Sequence, residues 1–396
     1  MNFSSASSGV AAFDRNRGID ALRGASIVFV IFNHLGIRMP LAKTALAQIL
    51  PSWLLRGLNW NGYEAVFLFF VISGFLIARR SLERWGEWQC TPLRQFYLFR
   101  ASRILPTLVL VVVALAACHL LRVPNFVIDK PGQSLGGAIA AVFGLCMNVY
   151  EARHGYLPGG WDVLWSLSIE EVFYLAFPLL CVSLGRVRVA FVVALVALAL
   201  SLPYTHALLR AEYGQSHSQL AEIWLEKAYL PGMAAIAFGV LTALLAQRIA
   251  APPQRTALAC CLIGVAGIGS VFFAGKFVFH WLRDGYMVLL TGSAASLVLG
   301  LHWQATSGKP WQMRAFGWVC SCGKLSYEIY LFHMFVVFAI VGIARACGLD
   351  EEWGWLWYAP TLVLSWLLGR IVSRAFSQPC ERWLRNRFAG RPIPAG

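Results

Sequence analysis

An arginine and a histidine share one apolar run with ten residues between them: Arg23 and His34 in Arg17-Gly-Ile-Asp-Ala-Leu-Arg-Gly-Ala-Ser-Ile-Val-Phe-Val-Ile-Phe-Asn-His34. On a helix, eleven steps of about 100° return to within roughly 20° of the start and rise about 16 Å, so both side chains lie on one face. That face carries a cation at one depth and a titratable base at another. Ionisable groups inside a membrane span cost about 2.5 kcal/mol or more, and by default they mark a pathway or a site. Structural readings exist for both: a lone histidine can bond a neighbouring helix, and Asp20, three residues before Arg23, can pair with it.

A partner for the imidazole is offered by Trp165-Ser-Leu-Ser-Ile-Glu170-Glu171-Val-Phe-Tyr174-Leu-Ala-Phe-Pro178, where two acids are expected at a depth comparable with His34. A carboxylate beside an imidazole strengthens it as a base and fixes its tautomer, as general-base attack on a hydroxyl requires. Adjacent residues point about 100° apart, so at most one acid faces His34. The other caps or bonds locally.

Cations recur in Arg94-Gln-Phe-Tyr97-Leu-Phe-Arg100-Ala-Ser-Arg103-Ile-Leu-Pro106, with Arg100 and Arg103 one turn apart, a fork suited to phosphate. Flanking charge that orients a span explains two such arginines as readily. Their combination with the base and the acid describes a slot for an elongated phosphorylated donor. Weaker substrate-binding candidates are Glu64, beside Tyr63, and Trp165, Tyr330 and His333. The run Phe69-Phe-Val-Ile-Ser73-Gly74 reads mainly as close helix packing.

The elements that must hold these groups are set by composition. With 58% hydrophobic and 13% charged residues and a mean hydropathy of +0.63, the 396-residue chain is an integral membrane protein. Apolar stretches of about 16 to 22 residues match the length that crosses a hydrocarbon core of about 30 Å. Strand-like alternation is absent, so the fold class is all-α, a polytopic transmembrane helical bundle. The net charge of +14 flanks spans instead of forming a stripe, which argues against nucleic acid. The ten cysteines show no metal-ligand spacing and read as small apolar filler, so no metal is expected.

Eleven apolar segments are visible, and basic residues at both ends put both termini in the cytoplasm, so the number of crossings is even. Ser134 to Val149, short and glycine-containing, is expected to be re-entrant or interfacial, leaving about ten crossings. Arg79 to Arg103, Arg186, Arg188, Arg248, Arg255, Lys309, Arg314 and Lys324 then fall on the cytoplasmic side. Residues 1–18 form a cytoplasmic N-terminal segment lacking a signal-peptide core, 19–376 the transmembrane domain and 377–396 a basic cytoplasmic tail.

Five stretches in order resemble the acyltransferase-3 family, integral-membrane bacterial O-acyltransferases of surface polysaccharides: Ile19-Asp-Ala-Leu-Arg23 through His34, Phe69 through Leu76, Phe99-Arg100 with Arg103 and Pro106, Trp165 through Glu170 with Tyr174 and Pro178, and Leu325 through His333. The resemblance implies transfer of an acyl group, commonly acetyl, from cytoplasmic acyl-CoA to a hydroxyl of a cell-surface or exported glycan. By position it assigns His34 and Glu170 to catalysis and Arg23, Arg100 and Arg103 to the donor. Acyl-CoA is then a co-substrate, with no tightly bound cofactor; the partners are a glycan or lipid-linked sugar and membrane lipid. The location is the bacterial inner membrane, multi-pass. Where the family often has Glu before a late proline, this chain reads Ser377-Gln378-Pro379. The extracytoplasmic hydrolase-like domain fused to some members is absent from the sequence, so the membrane part must suffice or work with a separate partner. The competing reading is a transporter or flippase built on the same polar groups, against which no internal repeat is visible.

Overall fold

The computed structural model describes residues 15–184, 186–213, 218–249, 252–307, 316–348 and 350–388. Lys309, Arg314, residues 1–14 of the N-terminal segment and 389–396 of the tail lie outside them. Among the described residues every regular element is helical and no strand occurs. The helices that matter are α1 (Arg17–Gly36), α2 (Gly62–Trp85), α3 (Leu93–Leu120), α4 (Trp165–Leu184), α5 (Arg188–Leu200), α6 (Leu202–Tyr213), α7 (Tyr229–Arg248), α8 (Gln254–Phe273), α9 (Tyr286–Thr306), α10 (Gly317–Lys324), α11 (Ser326–Ala346), α12 (Tyr358–Val372) and α13 (Gln378–Phe388).

Among the described residues nine helical segments are long and apolar enough to cross a membrane, and α5 with α6, bent by 41°, adds a tenth if the pair is one span. Packing decides that point. Arg23 touches Ser326, His34 meets His333 and Arg38 covers Phe338, an order that makes α1 and α11 parallel. Parallel spans need an odd number of crossings between them. Six single spans intervene, so the bent pair supplies the seventh.

The segment expected not to cross is split into two helices, Leu135–Phe143 and Met147–His154, of 9 and 8 residues. At 1.5 Å per residue neither reaches half of the hydrocarbon thickness. Beside them Lys227 is buried between Glu151, at 2.8 Å, and Asp162. Leu157 N–H also donates to Glu151, which ties the loops at this end to the start of α7. Burial, then the charge of Asp162, pushes Glu151 above the usual carboxylate range, and Lys227 opposes both.

Asn16 starts α1 by accepting the Ile19 N–H at 3.1 Å, and Asp20 complements the helix dipole in the first turn. The helix then lies backbone-to-backbone on α10. A Cβ on Gly24 would stand 1.9 Å from Val319 O, and one on Gly323 would stand 1.7 Å from Asp20 O. Gly74 and Gly239 do the same for α2 and α7, the packing role expected of that run. Between α12 and α13 the chain widens into a π-helical turn, Ser373–Ser377, a distortion often found at functional sites. Thr107 Oγ1 bonds Ser377 Oγ at 2.8 Å and anchors that turn to α3.

Candidate active site

Four helices, the π-helical turn and the N-terminal approach to α1 converge on a cavity of about 380 Å³ lined by Arg15, Arg103, Ser321, Lys324, Leu325, Arg370, Ser373, Arg374 and Gln378. Five of these are cations and none is an acid. Asp20 offsets Arg15 at 2.7 Å and Glu381 offsets Arg103 at 3.4 Å, so a positive surplus remains on Lys324, Arg370 and Arg374. Such a surplus, with guanidinium forks, suits phosphate groups.

Arg23 stands nearby, its Nη2 donating to Ser326 Oγ at 2.8 Å. The two arginines read as one fork are divided in the structure. Arg103 reaches the cavity, whereas Arg100 turns into the bundle, 3.6 Å from Glu171 and with its guanidinium 3.6 Å from the Tyr174 ring centroid. Arg100 thereby contacts α4 and does not line the cationic cavity.

Glu170 lies in the same cluster. Its carboxylate accepts from Ser73 Oγ at 3.1 Å and Tyr174 OH at 3.5 Å, in the cluster around Arg100, and no hydrogen bond joins it to His34 among the described residues. Ser166, one turn nearer the start of α4, is the α4 residue bonded to Tyr330 OH, at 2.8 Å, and Tyr330 stands one turn before His333 on α11. Glu170 lies about 6 Å further along the helix.

His34 is half-buried and its imidazole has no hydrogen-bond partner among the described residues. Its ring lies against His333, centroids 5.1 Å apart and planes at 45°. One turn on, Arg38 Nη1 donates to the His34 carbonyl at 2.6 Å while its guanidinium covers Phe338 at 4.6 Å. Arg38 also lines a second cavity of about 190 Å³, with Lys43, Val341, Arg345, Asp350, Glu351 and Trp357. The two cavities therefore sit at opposite ends of the α1–α11 pair, with His34 between them and close to the smaller.

Of the weaker candidates, Tyr330 is a strap: its hydroxyl donates to Val163 O at 2.8 Å and so accepts from Ser166. Trp165 is buried, stacked on Tyr63 and edge-on to Phe70. Glu64 is half-buried, and its Oε2 has no partner among the described residues. Glu381, the acid that meets Arg103 from three residues beyond Gln378, carries no signal in the sequence, and Lys324 there reads as an orientation signal, as do the basic ends that hold Arg15 and Arg374.

Residues 16–373 match the family model described as an acyltransferase domain. The chain belongs to this acyltransferase family. It is 24% identical over 407 aligned residues to the O-acetyltransferase OatA of Staphylococcus aureus (strain NCTC 8325), an alignment spanning 96% of this chain and 59% of that relative. To the peptidoglycan O-acetyltransferase OatA of Listeria monocytogenes it is 29% identical over 167 residues, 40% of this chain and 23% of that protein. The chain thus spans about three fifths of the length of the Staphylococcus relative. No solved structure matches it.

Proposed function

We propose that the protein is an O-acyltransferase that moves an acyl group, acetyl in first place, from acyl-CoA to a hydroxyl of a cell-surface or exported glycan. The observation that carries this reading is the pair of cavities at opposite ends of α1 and α11, a cationic one suited to phosphates and a smaller mixed one, with the half-buried His34 imidazole between them. The names of the relatives, an O-acetyltransferase and a peptidoglycan O-acetyltransferase, support acetyl as the group and a glycan as the acceptor. In this reading the cationic cavity faces the cytoplasm of a bacterial cell, both termini lie there and the membrane is the inner one.

Arg103, Lys324, Arg370 and Arg374 hold the coenzyme A phosphates, with Arg23 at the inner rim. The pantetheine arm follows α1 for the roughly 16 Å that separates Arg23 from His34 and presents the thioester there. His34 takes the proton of the acceptor hydroxyl as its oxygen bonds to the thioester carbonyl carbon. The tetrahedral adduct collapses with cleavage of the C–S bond, and the coenzyme A thiolate takes the proton back from His34. General-base assistance of this kind contributes about 10²- to 10⁴-fold. Glu170, with Ser73 and Tyr174, belongs in this account to the support of Arg100.

Incubation of the purified protein with radiolabelled acetyl-CoA and candidate glycans tests the reading. Label appearing on a glycan in step with free coenzyme A is expected. Translocation of a substrate with the donor unconsumed would replace the enzyme by a transporter.

A further inference from the structure

His333 is fully buried, and its Nδ1 lies 2.7 Å from the carbonyl oxygen of Tyr330, one turn back on α11. A carbonyl oxygen only accepts, so Nδ1 carries the proton and Nε2 of the neutral ring is a bare lone pair. That lone pair is buried and has no hydrogen-bond partner among the described residues. Leaving such an acceptor unmade costs about 1–3 kcal/mol.

Three polar groups on the surrounding helices are already engaged. Tyr330 OH is held by Val163 and Ser166, Arg38 by the His34 carbonyl and the Phe338 face, and Glu170 by Ser73 and Tyr174. The ring that lies against His333 is His34, at a centroid separation of 5.1 Å. Two imidazoles joined edge to edge need about 2.9 Å between nitrogens plus the radius of each ring, which is this spacing. No hydrogen bond joins the two rings among the described residues; the proposal requires the His34 ring to turn about its broad Cβ–Cγ torsion, and hydrogen bonds of this kind commonly tighten only when substrate binds.

We infer that His333 is the positioning residue of His34: its Nε2 accepts the His34 ring N–H and leaves the second His34 nitrogen bare as the base. The inference rests on the reading of His34 as base given above. It fills the place that sequence assigned to Glu170, and it does so with a neutral acceptor. When His34 takes the proton of the acceptor hydroxyl, the resulting imidazolium keeps its N–H···N bond to His333, and it returns the same proton to the departing thiolate.

Two experiments test this, one independent of turnover. Nitrogen-15 NMR of histidine-labelled protein, with the His333 signals identified by their loss in His333→Gln, is expected to show a neutral ring protonated at Nδ1. A His333 ring protonated at Nε2 would overturn the proposal. In kinetics, His333→Phe keeps a ring and removes the acceptor. Its kcat is expected to fall about 10- to 100-fold, the effect of one lost hydrogen bond to a charged group, with both KM values within about twofold. His333→Gln, whose amide oxygen can accept, is expected to recover most of that loss. Full kcat in His333→Phe, with His34→Ala inactive, defeats the proposal and leaves His34 as base. Full activity in His34→Ala defeats the underlying reading instead.

Discussion

Arg23 donates to Ser326 Oγ at 2.8 Å, across 303 positions of chain, and so pins α1 to α11 at the ends where both helices begin. From that tie the helices run together past His34 and His333 to Arg38 and Phe338. The relative position of the two histidines is thus set from both sides, by a hydrogen bond at one end and a guanidinium on a ring at the other. Everything proposed for the chemistry depends on this pair of helices keeping its register.

Register should fail when α1 is pushed off α10. Gly24→Val places carbon where Val319 O already stands, 1.9 Å from the ideal Cβ, and a backbone atom cannot rotate away. Overpacking of this kind costs about 1–3 kcal/mol or more. A lower thermal midpoint together with loss of acyl transfer is expected; a wild-type midpoint would mean that the contact is not tight.

The phosphate-binding role of the cationic cavity separates donor from acceptor. Arg370→Gln and Arg374→Gln are each expected to raise the KM for acyl-CoA about tenfold, as a lost charge-assisted hydrogen bond of about 1.5 kcal/mol would, with the acceptor KM unchanged. Added salt should raise the wild-type donor KM and affect the variants less. Unchanged donor KM in both variants would move the donor elsewhere.

Arg100 is predicted to matter for folding rather than for affinity. Removing it leaves Glu171 and Glu170 without their nearby cation inside the bundle; because the pair is only partly buried, the loss is expected to fall below the ~3–5 kcal/mol of a fully buried pair broken on one side. Arg100→Lys should rescue poorly, because a compact ammonium does not reproduce a planar group lying on Tyr174. The yield and thermal midpoint of purified protein report both effects. A stable Arg100→Gln with a raised donor KM would restore Arg100 to the phosphate site.

At the opposite end, Lys227→Met strands Glu151 and Asp162 around a buried position. Thermal unfolding is expected to show a loss of about 3–5 kcal/mol. Adding Glu151→Gln should recover part of it, since one of the two stranded charges is then gone; no recovery would assign the loss to packing alone.

Much of this arrangement is legible in the sequence because helical geometry is local. The shared face of Arg23 and His34, the spans and the short segment after α3 all follow from periodicity and length. What cannot be read is the offset of one helix against another. Glu170 is at the expected place on its own helix, yet α4 sits so that Ser166 bonds Tyr330 while Glu170 bonds Ser73 and Tyr174. The cationic cavity is hidden for a related reason. Its cations come from just before α1, from α3, from α10, from α12 and from the turn after it, and each taken singly is an ordinary flanking charge. Arg103 and Glu381 meet across 278 positions, a separation for which spacing has no signal.

Removal of the acceptor proton by His34 is decided by comparing wild type with His34→Ala for two quantities in the same preparation, binding of acetyl-CoA and transfer of its labelled acetyl group to glycan. Donor affinity is expected within about twofold of wild type and transfer reduced by about 10²- to 10⁴-fold. Transfer at the wild-type rate in His34→Ala would rule His34 out as the base.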